Sequence, residues 1–240
     1  MREWLMARAV YPRTVSQATV DSPEAAMTLT FLTALLLGAS AWTFLEYVIH
    51  RWLGHDARTR PNPFSAEHVR HHSEGNYFAP SWKKGAAALV FGLVLIGPSV
   101  ALAGAVAGSS FVAGLITMYL AYEVLHRRAH THPGKGRYAK WMRRHHFYHH
   151  FTNPHFNHGV TTPLWDWVFG TLRAPGVIRV PPKLAMGWLV DPETGAVRAE
   201  HAADYSLLGR AEPQPPRNQP SVRLIVTRSS APVNGNGPPS

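Results

Sequence analysis

The stretch GAAALVFGLVLIGPSVALAGAVAGSSFVAGLITMYLAY, residues 85–122, has no charged side chain in 38 positions. A helix rises about 1.5 Å per residue and roughly 20 residues cross the hydrocarbon core of a bilayer, so this run has room for two crossings. The pattern predicts helices over 84–105 and 110–127. The small residues Ala107, Gly108, Ser109 and Ser110 form the turn, and Gly97-Pro98 forms a kink. A turn at Pro98 would leave only about 14 residues before it, too few to span. Upstream, residues 28–45 are also uncharged, and residues 27–49 read as a further span. That segment begins after several charges and ends without a small-residue cleavage site, so it reads as a retained helix rather than a secretory signal.

Arg51, Arg58, Arg60, Arg70, Lys83 and Lys84 follow the first span; Arg127, Arg128, Lys135, Arg137, Lys140, Arg143 and Arg144 follow the third. The turn between the second and third carries no basic residue, so the positive-inside rule puts both basic segments in the cytoplasm. Three crossings then place the N-terminus outside. Arg2, Arg8 and Arg13 favour the other arrangement, with residues 1–26 on the cytoplasmic surface. The formal charge of +10 belongs to these flanks, and no nucleic-acid motif accompanies it, so anionic lipid rather than nucleic acid is the expected partner. The absence of cysteine excludes disulfides, Cys-zinc fingers and iron–sulfur clusters. Residues 212–240, rich in Pro, Asn and Ser, are expected to be disordered.

The chemistry lies beyond the span ends. His50 and His55 follow the first span, then His68, His71 and His72; His126 and His130 follow the third, then His146, His149 and His150. On a helix, positions i, i+3 and i+4 share a face, so three of these groups each present coherent imidazoles. His50 and His55 converge only if the helix ends or bends between them, and Gly54 offers the break. Parallel first and third helices deliver all four groups to one side. Ten neutral imidazoles over two ions give about five each, which suits iron, copper, nickel or zinc and leaves a position for oxygen or water. Packing alone gives no reason to choose histidine ten times. His-Glu-x-x-His is absent, and Glu123 with His126 is the single Glu-x-x-His pair, so neither a zinc protease nor a carboxylate-bridged di-iron bundle fits. Glu46 and Glu123 either orient imidazole rings or are polar residues at the bilayer boundary. A histidine-rich metal transporter, the alternative in another class, would carry ligands at mid-membrane, where this chain has none.

The order HRWLGH (50–55), HVRHH (68–72), HRRAH (126–130), HFYHH (146–150) and NHGVTTPLWDWVFGT (157–171) resembles the fatty acid hydroxylase and sterol desaturase superfamily of membrane di-metal enzymes. The likeness covers about residues 28–172. The resemblance implies an all-α membrane protein with three spans (many members have four) and a cytoplasmic helical cap carrying the boxes. It also implies a catalytic domain over 27–172 with a C-terminal extension over 173–211. Two iron ions, replaceable by zinc on isolation, would be held by the ten histidines, with O2 as cosubstrate and electrons from a ferredoxin- or cytochrome b5-type donor and its reductase. Hydroxylation of a fatty acyl chain is the favoured activity; carotenoid or sterol hydroxylation or desaturation is the rival. Asp166, His145 and His158 join Glu46 and Glu123 as residues that could support the ligands; Asp166 could equally cap the following segment. His158 departs from the Phe or Tyr common at that place. Tyr148, Trp141, Trp165 and Trp167 are expected to anchor the cap at the membrane interface.

Overall fold

A computed structural model describes residues 22–209. The tail expected to be disordered, and most of the N-terminal segment, lie outside them. Helix α1, Pro23–Val48, starts with the Ser22 hydroxyl accepting from Ala25 N at 3.1 Å and Pro23 in the first turn. It runs on without interruption into a π-helix, Ile49–His55. Helix α2, Pro63–Glu74, opens with a reciprocal cap: Ser65 N donates to the Asn62 side chain at 2.9 Å, and Asn62 N donates to Ser65 Oγ at 3.0 Å.

Helix α3, Ser81–Thr131, is helical except at Gly104, whose φ of 80° and ψ of 168° reverse the chain. A side chain would resist that φ; glycine does not. Residues 81–103 and 105–131 are therefore the two arms of a hairpin. Lys84 is ion-paired with Glu123, the Tyr119 hydroxyl donates to Lys84 O at 3.2 Å, and Gly92 lies against Ile116. The turn falls at Gly104 rather than at 107–110. The small residues there have a different use, since Gly108 packs so tightly on the Ser99 carbonyl that no Cβ fits. Pro98 stays inside the first arm.

Helix α1 runs beside the second arm in the same direction. Gly38 meets Phe111, and further along Trp42 meets Tyr119 and Tyr122 with ring centroids 4.7 and 5.8 Å apart. At the crossing, Gly38 sits on the Phe111 carbonyl and Gly114 on the Leu35 carbonyl, each leaving no space for a Cβ. Close backbone approach through small residues is how helices associate where lipid removes the hydrophobic drive between them. The outward faces are apolar: Leu29, Leu36, Leu37, Leu89, Leu93, Val94 and Leu102 are exposed. The two helices are long and apolar enough to cross a membrane, and no residue in the most apolar window of α3 is buried, as a soluble core helix would require.

Helix α4, Gly136–Phe151, follows a short turn that Arg143 secures. Arg143, one of the basic residues that follow the third span, is buried and donates to Arg128 O at 2.7 Å and His132 O at 2.9 Å, satisfying carbonyls at the end of α3. After α5, Leu164–Val168, the chain departs from the all-helical expectation. Strands β1, Ile178–Val180, and β2, Tyr205–Leu207, pair in parallel with Ile178 opposite Tyr205. Their inward residues join Ala129, Met142, Phe147, Met186, Trp188 and Leu189 in one apolar core, which clamps the extension against α4.

Replacing Gly38 or Gly114 by Val is expected to destabilise the α1–α3 crossing by about 1–3 kcal/mol, the usual cost of overpacking. Thermal melting in detergent checks this, with Gly97→Ala, which has open space around it, melting no lower than the parent.

Candidate metal centre

All ten boxed histidines converge at one end of α1 and α3, in two groups of five. His50, His55, His68, His72 and His149 form the first; His71, His126, His130, His146 and His150 form the second. Within each group one ring nitrogen per residue lies within 4.8 Å of every other. His132, His155 and His201 lie outside both groups.

The π-helix solves the spacing of His50 and His55. Its hydrogen bonds reach five residues along rather than four, so positions five apart come to one face without a break. Gly54 contributes space instead, since a Cβ there would lie 3.0 Å from the His68 ring. On α2, His68 and His72 face the first group while His71 faces the second; on α4, His146 and His150 face the second while His149 faces the first. The groups touch where His72 and His150 stack, with centroids 4.0 Å apart and planes 7° from parallel.

Backbone carbonyls decide which nitrogen points inward. His50 Nδ1 is 2.5 Å from His158 O, His71 Nδ1 2.7 Å from Tyr77 O, and His149 Nδ1 2.9 Å from Phe156 O. A carbonyl can only accept, so each Nδ1 carries the proton and each neutral ring turns an Nε2 lone pair into the cluster. Facing Nε2 atoms are 2.7 Å apart in His55–His68, 2.9 Å in His55–His149, 3.0 Å in His71–His126 and 2.9 Å in His130–His146. Two imidazole nitrogens bound at right angles to one ion at about 2.0–2.1 Å would stand about 3 Å apart. His50 Nε2 and both ring nitrogens of His150 are buried with no hydrogen-bond partner among the described residues. This donor set fits a metal ion in each group.

Burial keeps the rings neutral. It pushes His71 down to about 4, and His72 down to about 2 with help from the neighbouring His55 and His50 imidazoles. His68, His146, His149 and His150 are held well below the usual imidazole range, again first by burial and then by neighbouring imidazoles.

The supporting residues named from the sequence act mostly through one loop. Glu46, buried on α1, accepts from Val160 N, from Thr161 N at 3.0 Å and from Thr161 Oγ1 at 2.6 Å. Asp166 accepts from His158 N and Gly159 N at 2.8 Å each, Thr171 Oγ1 at 2.7 Å and His145 Nε2 at 3.1 Å. Burial works to raise the Asp166 pKa, yet the bonds from His145, Thr171 and Gly159 outweigh it and hold the carboxyl below its ordinary value. The two carboxylates pin residues 158–161 from either side, and the His158 carbonyl then sets the His50 ring. The His158 ring lies in neither group, although it is 5.2 Å from that of His149. Glu123 is placed against Lys84 rather than an imidazole. Nothing in the sequence marked Trp188 as a residue that backs the second group, where its Nε1 donates to His130 O at 3.1 Å.

Asp166→Asn removes one charge and one acceptor from this loop. It is expected to weaken zinc binding at the His50 group about tenfold to a hundredfold, measured by chelator competition. A second outcome follows from the neutral imidazoles. An unfolded histidine takes up a proton as pH falls through about 6.5, whereas folded His71 does so only near 4, so the unfolded state binds more protons between these values. The stability of the metal-free chain is therefore full above about pH 6.5 and declines as pH falls towards 4, which thermal melts across that range would show.

Fatty acid 2-hydroxylase of Homo sapiens is 32% identical over 148 residues, covering 57% of this chain and 38% of that protein. Dihydroceramide fatty acyl 2-hydroxylase FAH2 of Arabidopsis thaliana is 30% identical over 148 residues, 58% of this chain and 60% of its own length. A solved structure of full-length Scs7p, in which only the hydroxylase domain is visible, aligns with a TM-score of 0.47 at 23% identity, covering 62% of this chain and 61% of that one. The chain thus spans about two fifths to three fifths of the length of these relatives. The sequence profile of the fatty acid hydroxylase family matches residues 35–171, the segment from mid-α1 through the last histidine box to Thr171, and the chain belongs to that family.

Proposed function

We propose that the chain is a membrane-bound, O2-dependent di-iron hydroxylase of a fatty acyl chain, acting on the carbon next to the carbonyl group. One observation carries this reading: residues of both histidine groups line a single, largely apolar cavity of about 570 Å³, including His50 and His68 of the first group and His71 and His126 of the second. That volume lies in the range of small-molecule sites. Its far wall is built from membrane-depth residues of α3, among them Ala87, Ala88, Phe91, Leu115 and Ile116. A lipid tail can therefore lie along the hairpin with its polar end towards the imidazoles. The position attacked is read from the relatives, whose names specify fatty acid 2-hydroxylation.

His50, His55, His68, His72 and His149 would hold one iron; His71, His126, His130, His146 and His150 would hold the other. Bound iron supplies the oxidising power that no amino-acid side chain has. The protein orients the donors, leaves both ions fully charged by using neutral ligands, and excludes bulk water behind Phe147 and Trp188. The balanced reaction takes a C–H bond, O2, two electrons and two protons to an alcohol and water. The electrons come from an external ferredoxin- or cytochrome b5-type donor and its reductase. Zinc fits the same imidazoles and would be expected in an iron-poor host. The membrane topology consistent with this reading has three crossings, α1 and the two arms of α3, with the histidine ends in the cytoplasm on the side of the basic flanks. Residues 27–172 form the catalytic domain, and the described part of the 173–211 extension braces it.

Expression in an iron-replete host should yield two metal ions per chain and cellular lipids heavier by one oxygen. Both should fall to background in His149→Ala/His150→Ala, which removes one ligand from each group. Metal-loaded protein that leaves the lipids unchanged with a competent redox partner would count against the hydroxylase reading.

A further inference from the structure

Two ion pairs lie along the cavity wall, and they differ in kind. Lys83 and Glu67, 2.9 Å apart, stand at the rim with side chains 48% and 32% exposed, and Glu67 also accepts from the Tyr77 hydroxyl. Lys84 and Glu123 bridge the two arms of α3 further in, at 22% and 20% exposure, with the Tyr119 hydroxyl against the Lys84 carbonyl. Ordinary membrane orientation places lysines near a helix end, but it gives no reason to turn one into an apolar cavity opposite a carboxylate.

Glu123 precedes His126 by three residues on the same helix, so their side chains are neighbours, with Cβ atoms about 5–6 Å apart. His126 belongs to the second group of imidazoles, and both residues face the cavity. A polar group held by Lys84 and Glu123 would therefore put the next carbon or two of an acyl chain beside the metal-binding end. The pair offers one strong donor and one strong acceptor side by side. An amide matches both, with its carbonyl oxygen accepting from Lys84 Nζ and its N–H donating to the Glu123 carboxylate. An ester offers the acceptor alone. A free carboxylate would meet Lys84 but be repelled by Glu123.

We propose that Lys84 and Glu123 form the polar subsite of this cavity, reading an amide at the carbonyl end of the chain and fixing which carbon is presented. This rests on the hydroxylase reading for the meaning of the attacked carbon, but the recognition itself is measured without turnover. The probes are radiolabelled N-methylhexadecanamide, methyl hexadecanoate and hexadecanoate. They are bound to the zinc-loaded chain in lipid nanodiscs, with zinc content determined on each sample. The parent is expected to bind the amide about tenfold more tightly than the ester or the acid. In Lys84→Met/Glu123→Leu, which removes both charges together and leaves neither one buried alone, amide and ester affinities should converge to within about twofold at unchanged zinc content. Iron-loaded parent should place the new hydroxyl at one carbon, and the double variant should spread it over neighbouring ones. An amide preference that survives in the double variant overturns the proposal, as does a loss of zinc that accompanies the loss of binding, since the pair would then be structural. An inactive parent that retains the amide preference would refute the hydroxylase reading and leave the subsite standing.

Discussion

Ten imidazoles gathered at one end of an apolar bundle, seven of them buried, set the terms for the rest of the molecule. Each ring must stay neutral, carry its proton on the nitrogen that faces the protein, and turn the other nitrogen inward. A buried acceptor without a partner costs about 1–3 kcal/mol, and here several lone pairs point at one another. His50 Nε2 and His150 Nε2 illustrate this, being buried and unpartnered among the described residues. Binding an ion converts that cost into the stabilisation of the site, so that folding of the cap and metal affinity become one equilibrium.

The scaffold meets those terms chiefly with backbone. Carbonyls of Tyr77, Phe156 and His158, all outside helices, hold three of the rings. Loop carbonyls need fixing themselves, which explains why two buried carboxylates, Glu46 and Asp166, converge on residues 158–161 instead of on imidazoles. Phe147 and Trp188 close the rear of the second group, with the extension after α5 supplying the apolar mass that α4 alone lacks.

Much of this was legible in the sequence because it rests on spacing. The uncharged runs marked α1 and both arms of α3, and i, i+4 histidines marked shared faces. Direction was legible too, since parallel first and third helices bring His50 and His126 to one end. The exact turn was not, because Gly104 and Gly108 look alike in sequence while one takes a positive φ and the other a close backbone contact. The π-helix was equally hidden: nothing in IHRWLGH distinguishes it from a broken α-helix, and only its hydrogen bonding reconciles the five-residue interval. Arg143 read simply as one more flanking cation because charge is visible in a sequence and its three backbone acceptors are not.

The least legible feature was how the boxes divide. HVRHH and HFYHH each read as one coherent face, yet each splits between the groups, because the fourth position of the box, His71 or His149, lies on the far side of the shared seam. The division has a mechanical consequence. Among the described residues no carboxylate belongs to either group, so ions held in the two groups would have no bridging carboxylate there of the kind a ferritin-like centre uses. Their separation is set instead by adjacent residues on two rigid helices, His71 beside His72 and His149 beside His150, with His72 stacked on His150 at the seam. Any displacement of α2 or α4 must then move imidazoles of both groups at once. A centre built this way keeps its metal spacing through helix packing, leaving the cavity side of both groups open to whatever lies along the α3 hairpin.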